Sequence, residues 1–196
     1  MPRYVGLTGT PGTGKKSLAP FVAAALGLQS FGLNDLAVAY GLAARGTDGA
    51  EVNAQLLGKA ILRHVKGPAL LYGHLLPYAF AAGTFQSIVV LRCEPKVLKR
   101  RLIGRGYAPE KVVLNLEAEL IGAVASDTIA SFGEKVVAEF DTSKGELRAA
   151  GNTISSLITE ELGGRGKRRY DWTRGYDSAR KLRSLLSVPD LGLARI

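Results

Sequence analysis

Apolar residues along this chain fall into two kinds of run. Three are short and nearly unbroken: Tyr4-Val5-Gly6-Leu7-Thr8, Ala69–Tyr72 and Ser87-Ile88-Val89-Val90-Leu91. Runs of this length, rich in β-branched residues, predict strands. Their continuous rather than alternating apolarity predicts a parallel sheet covered on both faces. The longer runs carry a helical period. Lys15 to Leu26 predicts a helix, with Pro20 near its start, where a missing N–H does least harm. Asn34 is the expected cap of a second helix through Ala39. Glu51 to Val65 predicts a third, with Val52, Leu56, Ala60 and Leu62 near its apolar face. Pro95 stands at the first position of a helix to about Gly104, and Pro109 opens a long helix to about Phe132. Lys135 to Phe140 predicts a last strand, and Glu146 to Leu162 a helix that Gly163-Gly164-Arg165-Gly166 breaks. Strands alternating with helices define an α/β fold with a parallel sheet in a three-layer sandwich.

Composition narrows the class. With 196 residues and 46% hydrophobic, the chain can bury a core, which excludes a disordered protein. A single cysteine, Cys93, excludes an internal disulfide and a Cys-rich zinc site, and reads as a small buried hydrophobe at a strand end. The richest apolar stretch, Ala69 to Ala82, is broken by Gly73, His74 and Pro77, so no membrane span is expected. Lys15-Lys16 before Leu18 to Leu28 has the charge-then-apolar order of a secretory leader, but it reads as the buried face of a helix. A cytoplasmic location is expected. Asn (4), Gln (3) and Met (1) are scarce, the depletion of thermolabile residues seen in thermophiles.

Charge changes the picture more. The net charge is +9, and the last 34 residues carry nine basic groups against three acidic ones. Residues 1–162 carry 17 against 14. The expected organisation is therefore a nearly balanced domain, 1–162, and a basic extension, 163–196.

Gly9-Thr10-Pro11-Gly12-Thr13-Gly14-Lys15 satisfies G-x-x-x-x-G-K between a predicted strand and a predicted helix. Glycines let successive backbone N–H groups curl around a phosphate, the helix N-terminus adds partial positive charge, and Lys15 reaches the outer phosphates. The dinucleotide fingerprint needs G-x-G-x-x-G, and the order here is G-x-x-G-x-G. ATP is the expected ligand. The residue after Lys15 should be a Ser or Thr that ligates Mg²⁺, but it is Lys16. Ser17 lies one residue on, about 100° further round the helix. Lys16 either repels the metal or turns outward to solvent or to a phosphate. Residues 52–93 contain no Asp or Glu, so the strand Ala69–Tyr72 ends in Gly73-His74 without a carboxylate. Any Mg²⁺ would rest mainly on nucleotide phosphates and water.

A further set of residues is more specific. Arg101-Leu102-Ile103-Gly104-Arg105-Gly106-Tyr107 follows an L-R-x-x-P turn, Leu91 to Pro95, and precedes Lys111, Asn115 and Glu119. With the phosphate loop, Gly73-His74, Asp141-Thr142-Ser143 and Asp171-Trp172, this set resembles the archaeal and eukaryotic adenylate kinase isoenzyme 6 family of P-loop nucleotide kinases. The likeness spans roughly residues 3–172. It implies a nucleoside monophosphate kinase fold with a five-stranded parallel sheet, a monophosphate arm and a small lid, here about 101–111. It implies phosphoryl transfer from ATP to AMP, ATP hydrolysis, and a role in maturing the small ribosomal subunit through a platform ribosomal protein. By residue, it implies phosphate contact by Lys15, a D-x-H histidine in His74 with its acid absent, and a lid arginine in Arg105 for the transferring phosphoryl group. Thr142 would stand in the loop near the adenine.

The residues also admit plainer readings. His74 reads as a buried histidine under a loop or as a group orienting the attacking atom. Arg101 and Arg105, four apart, read as one helix face beside a Gly-Tyr break, or in part as a solvated basic helix with Lys96, Lys99 and Arg100. Asn115 and Glu119 are expected to brace the lid, and Asn34 and Asp35 to cap a helix. The candidate nucleotide contacts are Gly9, Pro11, Gly12, Thr13, Gly14, Lys15, Lys16, Ser17, Arg101, Arg105 and Thr142. In the extension, Arg165, Lys167, Arg168, Arg169 and Arg174 interleave with Tyr170 and Trp172, a pattern suited to ribosomal RNA. Trp172, Tyr176, Ala179, Leu182 and Leu186 have the spacing of a helix docked on the core. Three functions remain open on the sequence: an ATP:AMP phosphotransferase, a nucleotide-gated assembly factor, and a nucleotide binder without turnover.

Overall fold

The computed structural model describes residues 4–43, 52–159 and 169–188. Five parallel strands form one sheet in the order β2-β3-β1-β4-β5. They are β1 (Tyr4–Gly9), β2 (Gln29–Gly32), β3 (Ala69–Tyr72), β4 (Phe85–Arg92) and β5 (Val137–Asp141). Continuous apolar strands are buried on both faces, and the register shows how. Leu70 and Val89 face one cluster with Val5, Leu18, Val22 and Ile154. Their neighbours Leu71 and Val90 face another with Leu33, Leu57 and Leu76. Helices α1 (Lys15–Leu26) and α8 (Leu147–Thr159) cover the first face. Helices α2 (Leu33–Ala39), α3 (Ala54–His64), α4 (Leu76–Ala79) and α7 (Ala123–Phe132) cover the second. The predicted three-layer α/β sandwich is therefore observed.

A third apolar cluster lies off the end of the sheet. Cys93, Leu98, Leu102, Val112, Leu116 and Leu185 join α5 (Pro95–Ile103), α6 (Pro109–Leu120) and α9 (Ala179–Leu186). Leu185 comes from the basic extension, so its final helix docks on the domain.

Several boundaries differ from the sequence expectation for local reasons. Strand β2 went unread because Gln29-Ser30 is polar and the strand is short and at an edge. The long helix expected over 109–132 breaks at Gly122, whose φ of 68° is left-handed and lets the chain turn from α6 into α7. Helix α2 starts at Leu33, so Asn34 lies inside its first turn and is exposed rather than capping it. Helix α3 is instead capped by Asn53, whose side chain accepts from the Leu56 N–H at 3.0 Å. Pro20 sits inside α1, beyond the first turn. The helical spacing read from Trp172 starts late: Thr173–Tyr176 is a 3-10 turn, and α9 begins after Ser178. Glu51, Leu162 and the Gly163–Gly166 break lie outside the described residues, as do Arg165, Lys167 and Arg168. Among the described residues, no helix is long and apolar enough to cross a membrane.

Candidate active site

In an open α/β sheet, ligands bind beyond the carboxyl ends of the strands, where the connections diverge to opposite faces. The Gly9–Gly14 loop lies there, between the end of β1 and the start of α1. Gly9 and Gly12 have φ of 139° and 92°. A Cβ at Gly9 would collide with the Leu91 carbonyl, and one at Gly12 would lie 2.7 Å from Leu98 Cδ1. Only glycine fits both positions, which is why the loop can wrap so closely.

The loop is tied down from several directions. Thr13 N and Oγ1 both donate to the Thr10 carbonyl, at 3.2 and 2.9 Å. Lys15 Nζ donates to the Gly9 and Thr10 carbonyls at 2.6 and 3.0 Å. Burial lowers the Lys15 pKa to about 7, with Arg105 pushing the same way and Glu119 opposing. Removing water from an ammonium disfavours its charge, and an arriving polyphosphate restores it.

Beside the loop opens a cleft of about 200 Å³, lined by Gly12, Thr13, Gly14, Ser17, Arg101, Arg105, Thr142 and residues 144–147. It brings together the loop, both candidate arginines and the loop after β5. Arg101 is fixed: its guanidinium donates to Thr142 O at 2.6 Å and Thr142 Oγ1 at 3.2 Å. Thr142 Oγ1 in turn donates to the Thr13 carbonyl at 2.8 Å, so this hydroxyl braces the phosphate loop. Arg105 does not share a helix face with Arg101, since α5 ends at Ile103 and Arg105 lies in the following turn, exposed. Pro11 is half-buried and outside the cleft lining.

On the other side of Lys15, the ends of β1 and β3 are stitched together. Thr8 Oγ1 donates to Gly73 O at 2.8 Å, and Gly73 N to Leu7 O at 3.1 Å. This holds the half-buried His74 near the loop lysine. Burial, then the Lys15 charge, lowers the His74 pKa to about 4, so the imidazole is neutral at pH 7. Two residues earlier, where a D-x-H motif has its acid, stands Tyr72. Its hydroxyl hydrogen-bonds Asp35 of α2, and burial followed by that carboxylate raises its pKa. Asp35 is thus no helix cap. It brings a carboxylate towards the strand end that has none of its own.

The site suits a nucleotide polyphosphate, because the glycine loop, Lys15, Arg101 and Arg105 offer positive charge and backbone donors. Among the described residues, no group of three His, Cys, Asp or Glu side chains is placed to hold a metal ion. Lys16 is exposed and does not line the cleft, whereas Ser17 does. Mg²⁺ would be held by phosphate oxygens and water, with Ser17 the hydroxyl that α1 presents on that side.

One cluster escaped the sequence analysis. Glu119 was expected to brace the lid, but it is buried behind the phosphate loop. Its carboxylate accepts from Thr10 Oγ1 (2.6 Å), Arg92 Nε (2.9 Å), Cys93 N (3.0 Å) and Trp172 Nε1 (3.1 Å). Arg92 also donates to Glu139 at 2.6 Å and to the Tyr170 carbonyl at 3.2 Å. Asn115 stays local, donating to Lys111 O at 2.6 Å. A buried acid inside an otherwise amphipathic α6 was the available signal, but its partners lie 26 to 109 residues away.

Fold and loop together define the class, a P-loop kinase-type α/β protein. A family model described as "AAA domain" matches residues 5–122. Solved structures share the fold. Shikimate kinase from Bacteroides thetaiotaomicron aligns at TM-score 0.56 and 17% identity, over 80% of this chain and 98% of that one. A gluconokinase from Sinorhizobium meliloti aligns at 0.51 and 16%, over 82% and 95%. Among relatives, proteins named "Putative adenylate kinase" from Thermococcus gammatolerans and Pyrococcus furiosus are each 33% identical over 177 residues. These cover 88% of this chain and 94% and 93% of theirs. A protein of that name from Natronomonas pharaonis is 34% identical over 158 residues, 80% of this chain and 90% of its own. The chain belongs to this family of archaeal P-loop kinases.

Proposed function

We propose that the protein is an adenylate kinase: it binds ATP and transfers its γ-phosphoryl group to AMP, giving two ADP, with slow ATP hydrolysis when AMP is absent. The observation that carries this reading is the meeting of Lys15, Arg101 and Arg105 around one glycine cradle. The name of the archaeal relatives supplies the acceptor. Phosphoryl transfer needs positioning and positive charge on the moving group, and little covalent chemistry from the protein. Backbone N–H groups of Gly12, Gly14 and Lys15 at the start of α1 hold the β-phosphate. Lys15, with its pKa already near 7, takes up a full charge as the phosphates displace its carbonyl partners. Arg105, in the turn after α5, closes on the γ-phosphoryl group, so 101–111 serves as the lid over a catalytic domain of residues 1–162. Neutral His74 orients the attacking oxygen by hydrogen bonding without adding charge. Mg²⁺, when bound with the nucleotide, neutralises developing charge on the phosphates.

A second reading, a nucleotide-gated factor in maturation of the small ribosomal subunit, is favoured by the surface of the described part of the extension, residues 169–188. With Leu185 buried, Arg180, Lys181 and Arg183 of α9 are exposed. That face suits RNA phosphates or an acidic ribosomal-protein surface in the cytoplasm. The two readings separate in one assay, ADP formation from ATP with and without AMP in the presence of Mg²⁺. The kinase reading expects AMP to raise ADP output at least tenfold. Equal output with and without AMP overturns it and leaves the gated factor.

A further inference from the structure

The extension does more than dock a helix. Its residues 169–172 lie against the back of the phosphate loop through the buried charges described above. Arg169 pairs with Glu139 at 3.3 Å. Tyr170 gives its carbonyl to Arg92 and its N–H to Glu139, the latter at 3.4 Å. Trp172 stacks on Tyr170, with ring centroids 5.5 Å apart and planes at 26°, and its indole N–H reaches Glu119. Arg92, Glu119 and Glu139 are nearly inaccessible to solvent. Buried charges are tolerated only when every lone pair and proton is engaged, so each donor in such a network matters to the rest.

From Trp172 the connection runs inward through direct contacts. Trp172 donates to Oε1 of Glu119, and Oε2 of the same carboxylate accepts from the Thr10 hydroxyl. Thr10 belongs to the phosphate loop, and its carbonyl is one of the two that hold Lys15 Nζ. The Glu119 charge also supports the Lys15 ammonium against burial. Three donors converge on Glu119 Oε1, and Trp172 supplies one of them.

We propose that Trp172 is a positioning residue of the nucleotide site, acting through Glu119 on Thr10 and Lys15, so that the C-terminal segment completes the phosphate loop from behind. The inference rests on ATP binding at that loop, as proposed above. It makes nucleotide occupancy and the seating of the 169–172 segment energetically coupled, and by linkage each stabilises the other.

Trp172 is the chain's one tryptophan, so its emission reports on this contact directly. Titrating MgATP into the full-length protein is expected to change that emission, with half-saturation matching the ATP-induced rise in melting temperature. Trp172→Phe keeps an aromatic ring at the position but loses the indole N–H. It should raise KM for ATP on the order of three- to tenfold while changing kcat less than twofold, since it removes support for binding rather than for the reacting group. Thr10→Val, which removes the other end of the relay, should abolish the emission change while the protein still melts cooperatively. If MgATP stabilises the wild-type protein but the emission stays constant and Trp172→Phe binds ATP as tightly as wild type, the coupling is wrong and the nucleotide site stands. If MgATP neither stabilises the protein nor alters the emission, the nucleotide reading fails and the coupling with it.

Discussion

The two sides of Lys15 are built to different standards. Towards the nucleotide cleft, a chain of hydrogen bonds locks the loop: Thr13 to Thr10, Thr142 to Thr13, Arg101 to Thr142, Thr10 to Glu119. Those bonds reach across the whole chain to the 169–172 segment. Towards the end of β3, the groups are sparser. His74 is half-buried, while Asp35 and Lys16 are exposed, and no acid stands on the strand itself. Preorganised donors do not have to be ordered when the ligand arrives, which favours affinity and electrostatic stabilisation. The contrast teaches that the phosphate-loop side is ordered by the chain itself, whereas the end of β3 carries fewer fixed groups, so the proposed reading leaves metal and acceptor placement there to the ligands.

The comparison breaks most sharply at its pivot. Replacing Lys15 by Met removes the charge both sides share, and kcat/KM for phosphoryl transfer should drop on the order of 10²–10³-fold. A loss below tenfold would move the pivot elsewhere. On the committed side, Glu119→Ala strips one partner from a buried arginine and should cost about 3 kcal/mol of folding stability, read by chemical denaturation. A cost under about 1 kcal/mol would mean that Glu139 alone satisfies Arg92.

The pH response sharpens the same point. In the empty protein Lys15 titrates near 7, while in the unfolded chain it titrates near 10.5. Between those values the unfolded state holds more protons, so this group makes the empty protein more stable as pH rises. Bound phosphates favour the ammonium, so binding above pH 7 must take up a proton, and ATP affinity should weaken by up to about tenfold per unit from pH 7 towards 9. The imidazole facing Lys15 does not mask this, because His74 is already neutral across that range. Calorimetric titration of ATP at several pH values checks it, and an affinity independent of pH would contradict the buried-ammonium account.

The smallest effect tests the sparse side. Lys16→Thr restores the hydroxyl usual after the loop lysine and should raise Mg²⁺-dependent turnover about two- to fivefold. No gain would show that the exposed Lys16 never disturbed the metal.

Much of the committed side was legible in the chain. The loop glycines declare their backbone conformations, and unbroken apolar runs such as Ser87–Leu91 declare central strands. What stayed hidden was of two kinds. Edge and break features, β2 and the Gly122 turn, are set by tertiary context that overrides a weak local pattern. The Arg92–Glu119–Glu139 cluster joins residues far apart in sequence, and each reads locally as an ordinary charged position. The hydroxyl of Tyr72 reaching Asp35 is of the same sort, because it joins the end of β3 to a carboxylate on α2 that lies far away in sequence.

The central claim is that this cleft moves a phosphoryl group between nucleotides. It is tested most directly by following the label of [γ-³²P]ATP in the presence of AMP and Mg²⁺. The account predicts label in the β-position of ADP formed from AMP, with transfer lost in Lys15→Met. Label found only in inorganic phosphate, whatever the AMP concentration, would contradict it.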